Sequence, residues 1–393
     1  MYRSKLIIAV FALMFAADSW AQEALSFKIH QPYQSIRALG MGNAFSAVVN
    51  DNTAIFYNPA ALARLTEGHV SITGIQAQLD PDILDFVDEV SSAGDQPGNE
   101  VQNIIDVIES KYGEHFGMRL NAFEWLWARP GWGVALVPLD FSLDIGLDQA
   151  VGPALNVVAY QDLQVAFGYA KSKKIFGDHL LSFGATAKAV YRANIDKQLT
   201  AVELALDSDI VKESDFREGF TVDVDLGVLY TPKFGGESGF MKWVSNREPT
   251  FSFVVRNALD YGFGTNFNLL NDDSGEPSKL ERRFDVGGAF KLPDWWVWSS
   301  TLALDFRDIG HSNYTFEKGF HLGAEFKWKV ASWFQGAWRV GLQQAFDLAY
   351  WTAGFTGQFA IFRLDLATFA EEVGTSNEPK DSRRYMLKMS VDW

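Results

Sequence analysis

The closing stretch Tyr385-Met386-Leu387-Lys388-Met389-Ser390-Val391-Asp392-Trp393 decides the fold. Tyr385, Leu387, Met389, Val391 and Trp393 are apolar at every second position, and Lys388, Ser390 and Asp392 lie between them. Neighbouring residues of a strand point to opposite faces of its sheet. One face of this strand therefore suits lipid and the other suits water.

The same alternation recurs upstream, in Val222–Tyr230, Phe251–Val255, Leu302–Phe306, Leu322–Trp328, Trp338–Leu342 and Phe362–Leu366. Strands of about ten residues with this contrast are the additive signature of a transmembrane barrel. The expected fold is all-β: an outer-membrane β-barrel of about fourteen antiparallel strands, with helical outer loops. The candidates are 68–79, 118–128, 131–147, 155–170, 179–194, 217–231, 249–261, 280–291, 296–307, 316–329, 335–347, 349–357, 360–370 and 383–393. An even count puts both barrel ends in the periplasm. The long connections 80–117, 195–216 and 262–279 then fall outside the cell, and most short ones fall inside. Trp295, Trp296, Trp298, Trp328, Trp333 and Trp393 would form a girdle at the periplasmic interface, the level that Trp and Tyr prefer.

The whole chain has 393 residues, of which 48% are hydrophobic and 15% aromatic. Arg3 and Lys5 precede the apolar run Leu6–Ala17, and Ser19-Trp20-Ala21 offers a cleavage site. That is the layout of a signal peptide over 1–21. The expected division is 1–21 signal peptide, 22–66 N-terminal plug and 67–393 barrel. The net charge is −15, which argues against nucleic acid. With no cysteine there is no disulfide, thiolate metal site or cysteine nucleophile. The six histidines show no metal-ligand spacing and no Gly-x-Ser-x-Gly elbow occurs, so neither catalytic residues nor a metal or cofactor is expected.

Ahead of the first strand stand Arg37-Ala38-Leu39-Gly40-Met41-Gly42-Asn43-Ala44-Phe45 and Asn50-Asp51-Asn52-Thr53-Ala54-Ile55-Phe56-Tyr57-Asn58-Pro59-Ala60. A Gly-rich stretch, an Asp-containing polar turn and an Asn-Pro-Ala motif follow one another in that order. In this the chain resembles the FadL-like outer-membrane barrels, a group that takes in FadL, PorV-type and TraF-type proteins. The resemblance implies a plug, or hatch, inside the barrel. It further implies passive uptake of hydrophobic small molecules such as long-chain fatty acids or hydrocarbons. The alternative is a PorV-type barrel that serves protein secretion or surface assembly as a binding partner. Gly40, Gly42, Phe45, Ile55, Phe56, Asn58, Pro59 and Ala60 would govern passage of the ligand. Locally, Pro59 disfavours helix at Asn58, whose side chain can close an Asx turn. The closing strand likewise resembles the C-terminal signal read by the barrel assembly machinery, a partner beside outer-membrane lipid.

Alternation places Lys188, Arg192, Asp223, Asp225, Arg256, Asp285, Asp305, Arg307, Glu325, Lys327, Arg339, Arg363 and Asp365 inward. Basic and acidic residues are nearly balanced in this set. Buried charges must pair, so the expectation is a brace rather than an ion-selective pore. In the first outer loop, Ile83, Leu84, Val87 and Val90 would share one face of a helix over 82–90. Val101, Ile104, Ile105, Ile108 and Tyr112 would share one face over 100–112. A further acidic helix is expected over 203–215.

Overall fold

A computed structural model describes residues 29–95, 100–149, 153–176, 178–200, 203, 215–233, 239–269, 275–345, 348–372 and 381–393. The expected signal peptide, the first residues of the plug and nearly all of the 203–215 helix lie outside this set.

Fourteen strands, each antiparallel to its neighbours, close into one barrel. They are β1 His69–Leu79, β2 His115–Arg129, β3 Trp132–Gln149, β4 Pro153–Ile175, β5 His179–Thr200, β6 Arg217–Thr231 and β7 Thr250–Arg256. There follow β8 Arg283–Lys291, β9 Trp298–Ile309, β10 Phe320–Ala331, β11 Phe334–Ala345, β12 Leu348–Phe359, β13 Phe362–Glu372 and β14 Asp381–Asp392. The ring closes between β1 and β14, where Val70 and Trp393 exchange backbone hydrogen bonds of 2.7 and 3.0 Å. Tyr385, Met389 and Trp393 are exposed on the outer face, with Leu387 and Val391 half-buried between them. The outward side chains of the other strands form an apolar belt that includes Val165, Phe167, Phe183, Leu304, Val340 and Trp351. So large an exposed apolar surface belongs in a bilayer.

The strand count matches the expectation, and some boundaries differ for local reasons. β7 stops at Arg256 rather than 261, because Asn257 and Asp260 take positive φ (52° and 57°) and turn the chain out of the sheet. β4 and β5 run farther than expected, paired continuously from Ala154↔Thr200 to Ile175↔His179. β2 carries an irregularity at Phe123 (φ 60°), beyond which the inward phase passes from Arg119 and Asn121 to Glu124 and Leu126. That phase change is why its alternation reads weakly.

In the first outer loop, helices Asp82–Asp95 and Glu100–Ser110 pack on each other and on the rim. The buried face is Ile83, Phe86 and Ala93 against Ile104 and Ile108. Leu84 and Val87, expected on that face, are exposed instead. Burial is centred on Phe86, whose ring stacks on Phe116 of the rim at 4.9 Å.

Residues 29–65 run inside the ring. Helix Ile36–Gly40 packs against β11–β14, and the 3-10 helix Pro59–Arg64 packs against β3–β6. Between them, Met41, Phe45, Ile55, Tyr57 and Leu62 form a buried core with the inward Leu126, Val137 and Leu229.

Candidate functional site

Both motifs of the luminal segment sit in notches made by glycines of the wall. A Cβ on Gly40 would lie 2.9 Å from Gly354 Cα, and one on Gly42 would lie 2.7 Å from Leu322 O and 2.8 Å from Leu342 N. Gly42 also has φ +60°, a conformation open to glycine at no steric penalty. From the wall side, a side chain on Gly323 or Gly341 would collide with the Met41 and Gly42 backbone. The second notch is Gly184 and Gly227, which face Asn58, Pro59 and Ala60. Asn58 Oδ1 accepts from Ala60 N at 3.1 Å, closing the Asx turn, and its Nδ2 donates to Ser46 O at 3.0 Å. Pro59 opens the 3-10 helix, where its missing N–H leaves nothing unsatisfied.

The inward charges hold this segment in place. Glu325 accepts from Arg37 through both oxygens (2.8 and 2.7 Å) and from Arg339 at 2.8 Å, with Lys327 at 3.2 Å. Arg37 also donates to Asp51 at 2.6 Å. Burial alone would push the Asp51 carboxyl up, but the Arg37 guanidinium and the Thr53 hydroxyl hold it below the usual carboxylate range. Asp305 accepts from the Phe45 and Ser46 amides at 2.8 and 2.7 Å. Arg307 donates to Asn43 O at 3.1 Å, and Arg256 bonds Asp285 at 2.6 Å and the Phe56 and Tyr57 carbonyls. Lys188 pairs with Asp225, Arg192 with Asp162, and Arg363 with Asp365 and Asp392. Asp223 accepts from Val224 N and Leu259 N.

Sequence reading missed Arg119–Asp140, Arg384–Asp144, Lys388–Glu124 and the buried Asp162. Most of these lie on β2–β4, where the Phe123 irregularity and Pro138 interrupt the phase. Arg37 and Asp51 stand in the motif segment itself, where no alternation marks an inward residue. Phe45, Ile55 and Phe56, expected to present an apolar surface toward a pocket, are packed in the core. They line none of the three cavities that surround the Gly40–Gly42 notch.

Three cavities surround the notch at Gly40–Gly42. At the short-turn end, a polar cup of about 650 Å³ is lined by Arg37, Asp51, Lys327, Arg339 and Arg363. At the long-loop end, a cavity of about 110 Å³ lies over helix Ile36–Gly40, lined by Leu39, His321, Gln343, Tyr350, Phe369 and Ala370. On the other side of the same wall, a nearly all-apolar groove of about 1010 Å³ crosses the outer face of β7–β12. Leu322, Leu342 and Trp351 line the groove, and their chain neighbours His321, Gln343 and Tyr350 line the inner cavity. One layer of sheet separates the two.

That layer has a seam. The β12–β13 ladder runs from Phe359↔Phe362 to Ala353↔Thr368, although both strands continue beyond it, to Leu348 and Glu372. Among the described residues no ladder joins 348–352 to 369–372. Instead Arg383, opposite Ala370 on β14, reaches across β13. Its Nη1 donates to Trp351 O at 2.7 Å, and its guanidinium lies 4.4 Å from the Trp351 ring centroid. At the foot of the seam, Thr352 Oγ1 accepts from Gly42 N at 2.8 Å and donates to Gly40 O at 3.1 Å. The Gly40-Met41-Gly42 motif is thus tied to the strand that borders the gap.

No protein-family model matches the chain, and no curated protein matches it by sequence. Among solved structures it is similar to the Ralstonia pickettii toluene transporter TbuX, at 11% identity over 90% of this chain and 97% of that one, TM-score 0.46. It is similar also to the CymD monoaromatic hydrocarbon channel, at 10% identity over 90% and 96%, TM-score 0.47. A third such structure is a Pseudomonas aeruginosa FadL homologue, at 12% identity over 92% and 98%, TM-score 0.44.

Proposed function

We propose that this protein is an outer-membrane barrel for passive uptake of hydrophobic small molecules, and that they leave through the β12–β13 seam. The observation that carries this reading is the seam itself, open in its ladder between an inner cavity and an apolar groove on the membrane face. The long-loop end then faces outward and the short turns face the periplasm. The axial route is filled with paired charge around Glu325, Asp305 and Asp285, where an apolar molecule has no favourable surface. Sideways release keeps it out of water, which would otherwise cost ~0.8 kcal/mol per exposed CH₂. At about 110 Å³ the inner cavity is smaller than an ordinary ligand pocket. Passage therefore requires Ile36–Gly42 to move off β12, breaking the two Thr352 hydrogen bonds. No bond of the ligand is made or broken; the work is binding and passage, not catalysis.

Uptake of radiolabelled toluene and of a long-chain fatty acid tests the reading in cells with and without the protein. Loss of uptake on deletion, restored by the wild-type gene, is the expected result. Equal uptake in both strains, with no related barrel present, would refute it. The filled lumen favours one second reading, a rigid barrel that partners a secretion apparatus. A deletion strain with normal uptake and a defect in surface protein assembly would select that reading.

A further inference from the structure

We propose that the groove on the outer wall is a specific site for one phospholipid of the periplasmic leaflet, with Arg247 as its phosphate ligand. This proposal stands apart from the uptake reading, because it needs no passage through the wall.

The groove is walled by outward side chains of β7 to β12, chiefly Phe251, Phe290, Leu302, Leu304 and Leu342. Six adjacent strands at their usual spacing give it a length of ~24 Å. Small residues make it a groove rather than a flat face. Gly288, Ala324 and Ala353 lie between the bulky side chains, and at about 1010 Å³ it reaches the upper end of ordinary ligand pockets. Its lining offers almost no polar atom along this length, which fits an acyl chain and not a polar ligand.

One end is different. The connection between β6 and β7 folds a short helix, Phe240–Ser245, against the wall at the short-turn end, and Trp243, Val244, Arg247 and Pro249 close the groove there. Arg247 is half-buried, with its guanidinium 5.4 Å from the Trp243 ring centroid. Among the described residues no carboxylate pairs with it. The adjacent Glu248 is engaged by Lys291 at 2.5 Å. A guanidinium suits a phosphate because its fork of donors matches the oxygens, and Trp at this level marks the membrane interface. A cation at headgroup height leading into a greasy channel is the complement of a phospholipid: phosphate on Arg247, one chain along Phe290, Leu302 and Leu342.

The test uses the intact barrel, extracted in mild detergent, exposed to phosphatidylethanolamine–phosphatidylglycerol vesicles and examined by native mass spectrometry. Wild type should retain one phospholipid. R247Q should lower its occupancy at least tenfold, and R247K should restore part of it. A324F, which fills the groove and leaves Arg247 in place, should lower occupancy as much as R247Q. Arg282→Gln, at the opposite rim, should change nothing. Heat-modifiable migration shows that each variant is folded; if A324F is not, Ala353→Leu replaces it. Wild type without bound phospholipid, R247Q occupied as wild type is, or lipopolysaccharide as the retained lipid would overturn the proposal.

Discussion

Two strand ladders of the wall that stop short, β6–β7 and β12–β13, are finished in opposite ways. At β6–β7 the ladder extends from Tyr230↔Phe251 to Leu226↔Val255, leaving the outer half of β6 without a partner strand on the β7 side. The described residues of the following connection, 257–269 and 275–282, cover that edge. Asp225 accepts from Asn257 N at 2.8 Å, Asp223 accepts from Leu259 N at 3.0 Å, and Ala258 N and Phe220 N complete backbone bonds across the gap. At β12–β13 the backbone edge receives a hydrogen bond from Arg383, and Tyr350 packs on Ala370 across the gap. Buried carboxylates holding backbone amides make a permanent closure, whereas a guanidinium at the membrane face makes a latch. The two seams therefore predict opposite phenotypes.

The largest effect is expected at the closed seam. Asp225→Ala removes the partner of Lys188 and the acceptor for Asn257 N, leaving a buried cation unpaired at about 3–5 kcal/mol. The heat-modifiable barrel should unfold at a clearly lower temperature. Unchanged melting would mean that these carboxylates do not seal the edge. Next comes Gly341→Val, which drives a side chain into the Gly42 backbone. Overpacking of that kind costs about 1–3 kcal/mol, and protease resistance of the luminal segment should fall with it. A segment as resistant as in wild type would show that the notch is not tight. Thr352→Val keeps the shape and deletes both bonds to Gly40 and Gly42; Gly42 N keeps its bond to Leu39 O at 3.1 Å, so the loss is that of ordinary hydrogen bonds, about 0.5–1.5 kcal/mol each. If the segment must leave β12 for passage, this variant should take up hydrophobic substrate faster. Arg383→Ala should be nearly silent in melting, since exposed electrostatic contacts are worth about 0–1 kcal/mol, yet it should raise uptake. Slower uptake in that variant would make Arg383 a binding group and not a latch.

The closed seam was visible in the sequence only as Asp223 and Asp225 in an alternating strand; the early end of β7 was not. Positive φ at Asn257 and Asp260 is a local backbone choice that period-two reading does not register. Alternation put the thirteen expected charges on the polar face of their strands, because a strand's period fixes their side as soon as one face is apolar. It missed the inward charges Arg119 and Glu124 of β2, where one irregular residue exchanges the faces. The order of Gly40-Met41-Gly42 and Asn58-Pro59-Ala60 pointed to a luminal segment. Its docking depends on wall glycines far along the chain, and a glycine in a strand announces a close approach without naming the partner. The β12–β13 gap left no trace, since both strands alternate properly on either side of it. Only the ladder shows that they part.

A crosslink across that gap tests exit through the seam. The chain has no cysteine, so a Trp351→Cys, Ala370→Cys pair supplies its only thiols. Joining them with a short thiol-reactive linker, or as a disulfide, fixes β12 to β13 across the gap, and the same variant left unjoined controls for the substitutions themselves. Uptake of labelled toluene or fatty acid should fall to the level of the deletion strain in the joined barrel, and reduction of the disulfide form should restore it. A fully joined, correctly folded barrel that takes up both compounds at the unmodified rate would contradict exit through the seam.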